Sequence, residues 1–554
     1  MNAIPQAALA AALRELADRG FVAAGFRGGA RFFRGQLPSP RGKLRVMLSI
    51  SDWDFLEYPS IWVVDGLDKF PQLRPHLDEL GGLCYFSRRS VVLDRYDPAM
   101  AVAQCLEQAE AVLAKILSDR QYVVQDIQNE FLVHWKRQRP PPLTIHMGSV
   151  KPDAPSARLH FDQQERGAVL TDDPQAAQLL ANAIGWSNLT EAINRCWLFR
   201  TETLPPIPRR FPQTVRELFD WLRDWDRRLY NAIQRRLGVD ETYEFELLAM
   251  AVHTPVGWIG FMLALKPPGR MTATQLKEFL HGRGGTTRIT RMAMTDISPE
   301  FVHSRNLTFP DLTNKRITLL GCGAIGSHLA AALVRLGAGQ GPQGLLRLID
   351  EELLLPENLG RHYLGYNRLH QDKAKALREE LLRQFPLARI EAVPQTAQRV
   401  AALVHGDLLI EATGDEAVSE YLNSQWLERG RSVPVLYVWI KGNGECVQSL
   451  WTDKAEFACF RCLRLNDPQA HRHERYPVLK RAPERKVLGC HAFTPYAVAA
   501  PLQATALAID GICDWLQGRT TPRFRTRARE NVDLHPVESS DPTAQLDCPA
   551  CASR

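Results

Sequence analysis

The chain has 554 residues, a net charge of +6 and a 45% hydrophobic fraction. That length allows roughly two to four domains with filled cores. The small net charge gives no footprint for nucleic acid, and no uncharged run approaches the ~20 residues of a membrane span.

In chain order, Pro5 to Arg19 reads as an amphipathic helix, because Arg14, Glu15, Asp18 and Arg19 interrupt any signal-peptide h-region. Strands are expected at Ala30–Leu37, Lys43–Ile50 and Ile61–Val64. An irregular segment holds His76 and Cys84, and Tyr96-Asp97-Pro98 opens a helix over Ala99–Ile116. From Glu130 a helical linker begins. Boundaries fall in the basic, proline-rich runs Arg137–Pro142 and Leu204–Pro212. Helical periodicity over Val215–Leu237 places Phe219, Leu222, Trp225 and Leu229 on one face. Glu244–Leu265 alternates as one or two strands. Apolar strands at Arg316–Leu320, Leu345–Ile349 and Leu408–Ile410 follow, and an apolar helix runs from Ala497 to Leu516. Three domains result: 1–120, a middle region 121–300 of undefined role, and 301–554.

The chemistry concentrates after residue 315. The first of these apolar strands turns through Gly321-Cys322-Gly323-Ala324-Ile325-Gly326 into a helix. Glycines let the backbone approach phosphate, and a helix N-terminus offers free N–H groups to an anion. Asp350 ends the next strand, where a carboxylate accepts ribose hydroxyls. Arg361 and Lys373 are cations for phosphates, one a planar fork and one a point charge. Asp415 follows a third strand, where a carboxylate can hold Mg²⁺. The ordered set points to attack on ATP more than to dinucleotide binding.

The run GCGAIGS, Asp350, Pro356 to Arg361, Asp372-Lys373-Ala374 and Thr413-Gly414-Asp415 resembles the ThiF/MoeB and ubiquitin-activating enzyme superfamily. The resemblance implies a Rossmann-like α/β domain that binds ATP and Mg²⁺ and adenylates a protein's C-terminal carboxylate. It assigns ribose to Asp350, phosphates to Asn358, Arg361 and Lys373, and Mg²⁺ to Asp415. Gly321, Gly323 and Gly326 form the cradle. Arg305 resembles the arginine that the superfamily donates across a homodimer interface.

Eleven cysteines without a secretory signal suit a cytoplasmic protein with free thiols. Cys459/Cys462 and Cys548/Cys551 form two CxxC pairs, the four soft ligands of a structural zinc. Cys490 lies beside Arg485 and Lys486 and before a helix, a setting that favours thiolate. By position it resembles the thioester cysteine of activating enzymes. Cys322, Cys446 and Cys513 read as packed thiols.

Residues 5–116 resemble the α+β fold of a ubiquitin-conjugating enzyme in its shortened bacterial form. Cys84 matches the conjugating cysteine, His76 the start of the His-Pro-Asn segment, and Tyr96 with Pro98 the Trp-x-Pro. Leu77 follows His76, so the asparagine that would stabilise the oxyanion has no counterpart. The fusion resembles bacterial enzymes of anti-phage cyclic-oligonucleotide signalling (CBASS) operons. It implies that a partner with a free C-terminal tail, a cGAS-like nucleotidyltransferase or a ubiquitin-like protein, is adenylated, passed through Cys490 and Cys84, and joined to a target amine. Two other readings stand beside it: a sulfur-carrier adenylyltransferase, and a nucleotide-binding scaffold without turnover.

Overall fold

The computed structural model describes residues 6–87, 89–137, 142–151, 153–164, 166–190, 195–239, 247–264, 271–465, 473–488 and 491–552, with the side chains at 488, 491 and 492 left aside. The chain divides into two compact units. One comprises 1–145, 153–158 and 193–295; the other comprises 146–152, 159–192 and 296–554.

The first unit opens with helix α1 (Gln6–Asp18) and an antiparallel sheet of β1 (Val22–Arg27), β2 (Ala30–Leu37), β3 (Leu44–Ile50), β4 (Ser60–Val63) and β5 (Gly82–Leu83). Strand β1 escapes sequence reading because every residue in it is exposed and its pairing slips at Gly25. The long helix α2 (Pro98–Ser118) starts with proline at its first position and the Asp97 carboxylate accepting from Met100 N at 3.0 Å. Val102, Cys105, Leu106, Ala109 and Leu113 make its buried stripe against Val46, Leu48 and Ile50 of β3. Helices α3 (Arg120–Asn129) and α4 (Phe131–Lys136) follow.

Farther along, Leu247–Thr254 and Gly257–Ala264 form a hairpin, which resolves the Glu244–Leu265 alternation into two strands. The helix expected over Val215–Leu237 is two, Val215–Trp225 and Arg227–Leu237. Asp226 breaks it: its carboxylate accepts from Arg228 N at 2.8 Å and Leu229 N at 3.2 Å, capping the second helix. The expected apolar face still points inward, with Phe219, Leu222, Trp225 and Leu229 all buried.

The second unit is built on a seven-stranded sheet. Its strands are β6 (Arg316–Leu320), β7 (Leu345–Ile349), β8 (Ile390–Val393), β9 (Leu408–Glu411), β10 (Val435–Lys441), β11 (Cys446–Thr452) and β12 (Phe524–Ala528). The order is β8-β7-β6-β9-β10-β11-β12, parallel through β10 and antiparallel beyond. Helices α5 (Ala324–Arg335), α6 (Lys373–Gln384), α7 (Glu416–Glu428) and α8 (Ala499–Leu516) accompany it. Strands β6 and β9 lead in opposite directions across the sheet. The crevice above their C-terminal ends is the topological switch point, where open α/β sheets bind ligands.

Candidate functional site

The glycine turn sits at that crevice. Gly321 has φ +93°, and a Cβ there would lie 2.7 Å from Thr413 N. A Cβ on Gly326 would lie 1.8 Å from Gly321 O. Both positions therefore exclude a side chain. Gly323 differs: a Cβ there would meet nothing within 4 Å. It lies at the N-terminus of α5, on an open face where phosphate can approach the backbone.

Asp350 is tied to this turn. Its Oδ2 accepts from Cys322 N at 2.6 Å and its Oδ1 from Glu352 N at 2.8 Å. Burial pushes the carboxyl up, while these two amides and Lys373 act against that rise. Each oxygen keeps a second lone pair for a ribose hydroxyl. Lys373 is buried and ion-paired with Glu352. Asn358 Oδ1 accepts from Leu355 N at 2.9 Å, which leaves its amide NH₂ as donor. The Arg361 guanidinium lies 4.9 Å from the Tyr496 ring centroid. Asp415 is exposed at the N-terminus of α7, its Oδ1 accepting from Ala417 N at 2.8 Å. Arg305 is exposed, 5.4 Å from the Phe301 ring. These groups fit a nucleotide with its metal: open backbone at the phosphates, a carboxylate at the ribose, and an exposed carboxylate for Mg²⁺.

Two residues that sequence reading passed over support the crevice. His362 Nε2 donates to Cys322 O at 2.7 Å, and its Nδ1 accepts from Leu364 N at 3.0 Å. Burial holds this imidazole down to about 4, so it is neutral in neutral solution. Glu411 is fully enclosed. It accepts from Thr413 N at 2.8 Å and Ser419 Oγ at 2.7 Å, fixing the turn that presents Asp415. The Gly414 side of this turn borders a cavity of about 170 Å³, lined also by Ser419, Trp439, Lys441, Phe460 and Phe524.

The four expected thiols come together. Cys459 lies 3.7 Å from Cys462 and 3.8 Å from Cys548, and Cys462 lies 3.5 Å from Cys551, sulfur to sulfur. A tetrahedron with metal–sulfur bonds of about 2.3 Å has edges of about 3.8 Å. The cluster is buried, and Asn423 Nδ2 donates to Cys459 Sγ at 3.6 Å. This donor set suits zinc. Cys490 lies outside the described residues. The helix expected from Ala497 begins at Ala499.

In the first unit Cys84 is exposed in a groove of about 460 Å³, lined also by Tyr58, His76, Asp78, Glu130 and Arg137. Cys84 N donates to His76 O at 2.8 Å, and His76 is held at φ +57°. His76 Nε2 lies 2.9 Å from Asp126 Oδ2. Burial and the Glu130 charge push the Cys84 thiol up, and Arg137 opposes them. Tyr96 is almost wholly exposed, whereas Pro98 packs into the start of α2. The sequence carried an unused signal here: Asp126, Glu130 and His134 recur every fourth residue, one face of successive helical turns.

Residues 299–538 match the model of the ThiF family, and residues 30–142 match that of the prokaryotic E2 family B. The chain is a fusion of an E2-like domain and a ThiF-type adenylation domain. A Pseudomonas aeruginosa protein named ATP-dependent ubiquitin transferase-like protein Cap2 is 28% identical over 99% of this chain and 99% of its own length. An Escherichia coli protein of the same name is 23% identical over 83% of each. Among solved structures, Escherichia coli MccB with succinimide aligns at 14% identity over 50% of this chain and 72% of its own, with a TM-score of 0.34. Among the described residues, no helix is long and apolar enough to cross a membrane.

Proposed function

We propose that this fusion activates the C-terminal carboxylate of a partner protein with ATP and passes the acyl group through cysteine to an amine. The observation that carries the reading is an exposed cysteine in an E2-like groove on the same chain as a ThiF-type nucleotide crevice. The whole-length relatives bear a name for ATP-dependent, ubiquitin-like transfer, which supports it.

In this reading the Gly323 backbone and the N-terminus of α5 receive the phosphates, and Asp350 holds the ribose. Asn358, Arg361 and Lys373 neutralise phosphate charge, Lys373 leaving Glu352 to do so. Mg²⁺ at Asp415 supplies further neutralisation when bound. The partner's carboxylate oxygen attacks the α-phosphorus, and the bond to pyrophosphate breaks. The cavity beside Gly414 accommodates the end of the partner's tail. The acyl-adenylate is a mixed anhydride, so the Cys490 thiolate attacks its carbonyl and AMP leaves. The Cys84 sulfur then takes the acyl group and frees Cys490. An amine of the target, a lysine, attacks the Cys84 thioester and forms an amide. His76 sets the Cys84 backbone. Zinc on Cys459, Cys462, Cys548 and Cys551 anchors the C-terminal segment. The protein works in the cytoplasm as a homodimer, with Arg305 reaching the neighbouring site. The conjugated partner is a cGAS-like nucleotidyltransferase of a CBASS operon, or a ubiquitin-like protein.

The test is a non-reducing gel after incubation with Mg²⁺–ATP and a partner bearing a free C-terminus. A thiol-sensitive adduct that needs Cys490 first and Cys84 second is expected. Partner-stimulated ATP–pyrophosphate exchange with no adduct would turn the reading to a sulfur-carrier adenylyltransferase. Nucleotide binding without exchange would turn it to a scaffold.

A further inference from the structure

We infer that a second metal site, for a divalent transition ion of the zinc class, is built from His76, Asp126 and Glu130 at the border of the Cys84 groove, and that its occupation closes Cys84 to acyl transfer. The three side chains come from the segment before β5, from α3 and from the residue joining α3 to α4. One ligand atom from each falls within 4.8 Å of the others.

The hydrogen bonding around them argues for a shared ion. Asp126 Oδ2 is buried and 2.9 Å from His76 Nε2, yet the pair lacks the alignment of a hydrogen bond. Two donor atoms close together but not aimed at each other is the arrangement of ligands around one centre. His134 supplies an independent observation. It is 4% exposed, its Nε2 has no hydrogen-bond partner, and that atom faces Glu130 Oε2 at 4.0 Å. A buried imidazole nitrogen without a partner is costly unless something orders it. With an ion on Glu130, the carboxylate is fixed and His134 faces a defined acceptor, as the outer partners of metal ligands do.

The donor set selects the class of ion. Imidazole nitrogen with carboxylate oxygens suits zinc and its first-row neighbours, whereas Ca²⁺ and Mg²⁺ prefer oxygen alone. Three protein ligands leave a tetrahedral ion one further position. Cys84 lines the same groove, with its Sγ outside the trio and 3.5 Å from Phe86 O, and turning from that contact brings the sulfur to the open position. A sulfur–metal bond then forms, the thiol proton passes to water, and no electron moves. While that bond stands, the sulfur cannot take an acyl group. The metal site stands on its own geometry; only its effect on transfer rests on the role proposed for Cys84.

The test uses the full chain with the metal of its four-cysteine cluster in place, and neither ATP nor a partner. Equilibrium dialysis against micromolar Zn²⁺, read by elemental analysis, should raise zinc by one equivalent per chain. Asp126→Asn and Glu130→Gln, which preserve shape, should each abolish that increment. In parallel, the alkylation rate of the Cys84 peptide, followed by mass spectrometry, should fall at least tenfold with added Zn²⁺ in the wild type. It should not change in Glu130→Gln. No second equivalent in the wild type, or one that survives in either variant, overturns the site. Binding without protection of Cys84 overturns its closure of the groove. A failed conjugation assay affects neither readout, so the two readings fail separately.

Discussion

Cys322 N donates to Asp350 Oδ2 at 2.6 Å, so the carboxylate expected at the ribose also holds the glycine turn. In the proposed function, nucleotide recognition and loop shape are therefore coupled through one side chain. Asp350→Ala should abolish ATP–pyrophosphate exchange and also lower the melting temperature, because it strands a loop amide. Leaving a buried donor unpaired costs about 1–3 kcal/mol. Thermal unfolding with and without ATP checks both effects. Unchanged exchange in the variant would remove Asp350 from the site.

The glycines separate shape from binding. Gly326→Ala places a methyl 1.8 Å from Gly321 O, so the turn must open. Stability and exchange should both fall. Gly323→Ala meets nothing within 4 Å and should melt with the wild type. Its methyl nevertheless occupies the face proposed to receive phosphate, so ATP affinity should drop at least tenfold, roughly 1.4 kcal/mol. Calorimetry on the two variants checks this. Equal ATP binding by Gly323→Ala would move the phosphates elsewhere.

The α/β frame was legible because its strands are short, apolar and ended by glycine or acid, a pattern that survives without tertiary information. The glycine turn, the position of Asp350 beside it and the four-cysteine cluster were legible for the same reason: their placement is written as spacing. His362 was not, since its partner Cys322 O is forty residues away in the chain, and Glu411 was not, since nothing at a strand end marks an acid as enclosed until the fold covers it. The break at Asp226 was missed because helical periodicity continues across it while its carboxylate turns back to cap. Strand β1 was missed because no burial marks it.

Asp415 combines an observed helix cap with a proposed Mg²⁺ contact. Its Oδ1 caps α7 through Ala417 N, and its exposed position suits Mg²⁺. Asp415→Ala should lose exchange and also about 1 kcal/mol of stability, the usual worth of a cap. Asp415→Asn keeps an accepting oxygen but loses the charge. It should restore the melting temperature while leaving exchange low. Recovery of exchange with the cap would assign Asp415 to structure alone.

The thiol cluster predicts a stoichiometry. Purified protein should carry one zinc per chain, and Cys459→Ser should lose it. Chelation should expose the C-terminal segment to protease, because the cluster that would hold the metal joins residues near 460 to residues near 550. Mass spectrometry under native conditions, followed by limited proteolysis, reads both. A metal-free protein with an unchanged digestion pattern would contradict the assignment.

His362 makes stability depend on pH. Burial is the largest influence on its imidazole and lowers it from 6.5 to about 4. The charges of Lys373 and His328 act in the same direction, and the hydrogen bond to Cys322 O opposes them. In the unfolded chain the imidazole takes a proton first, so acid favours unfolding. The stability associated with neutral His362 is whole above about pH 6.5 and is lost as pH falls towards 4. Through that window the slope is up to about 1.4 kcal/mol per pH unit. His362→Gln cannot titrate, so it should flatten the acid limb even if it is less stable at neutral pH. Denaturant unfolding of the wild type and His362→Gln at pH 7, 6 and 5 measures the difference in slope. Parallel acid limbs would mean that His362 is not the group that charges on unfolding.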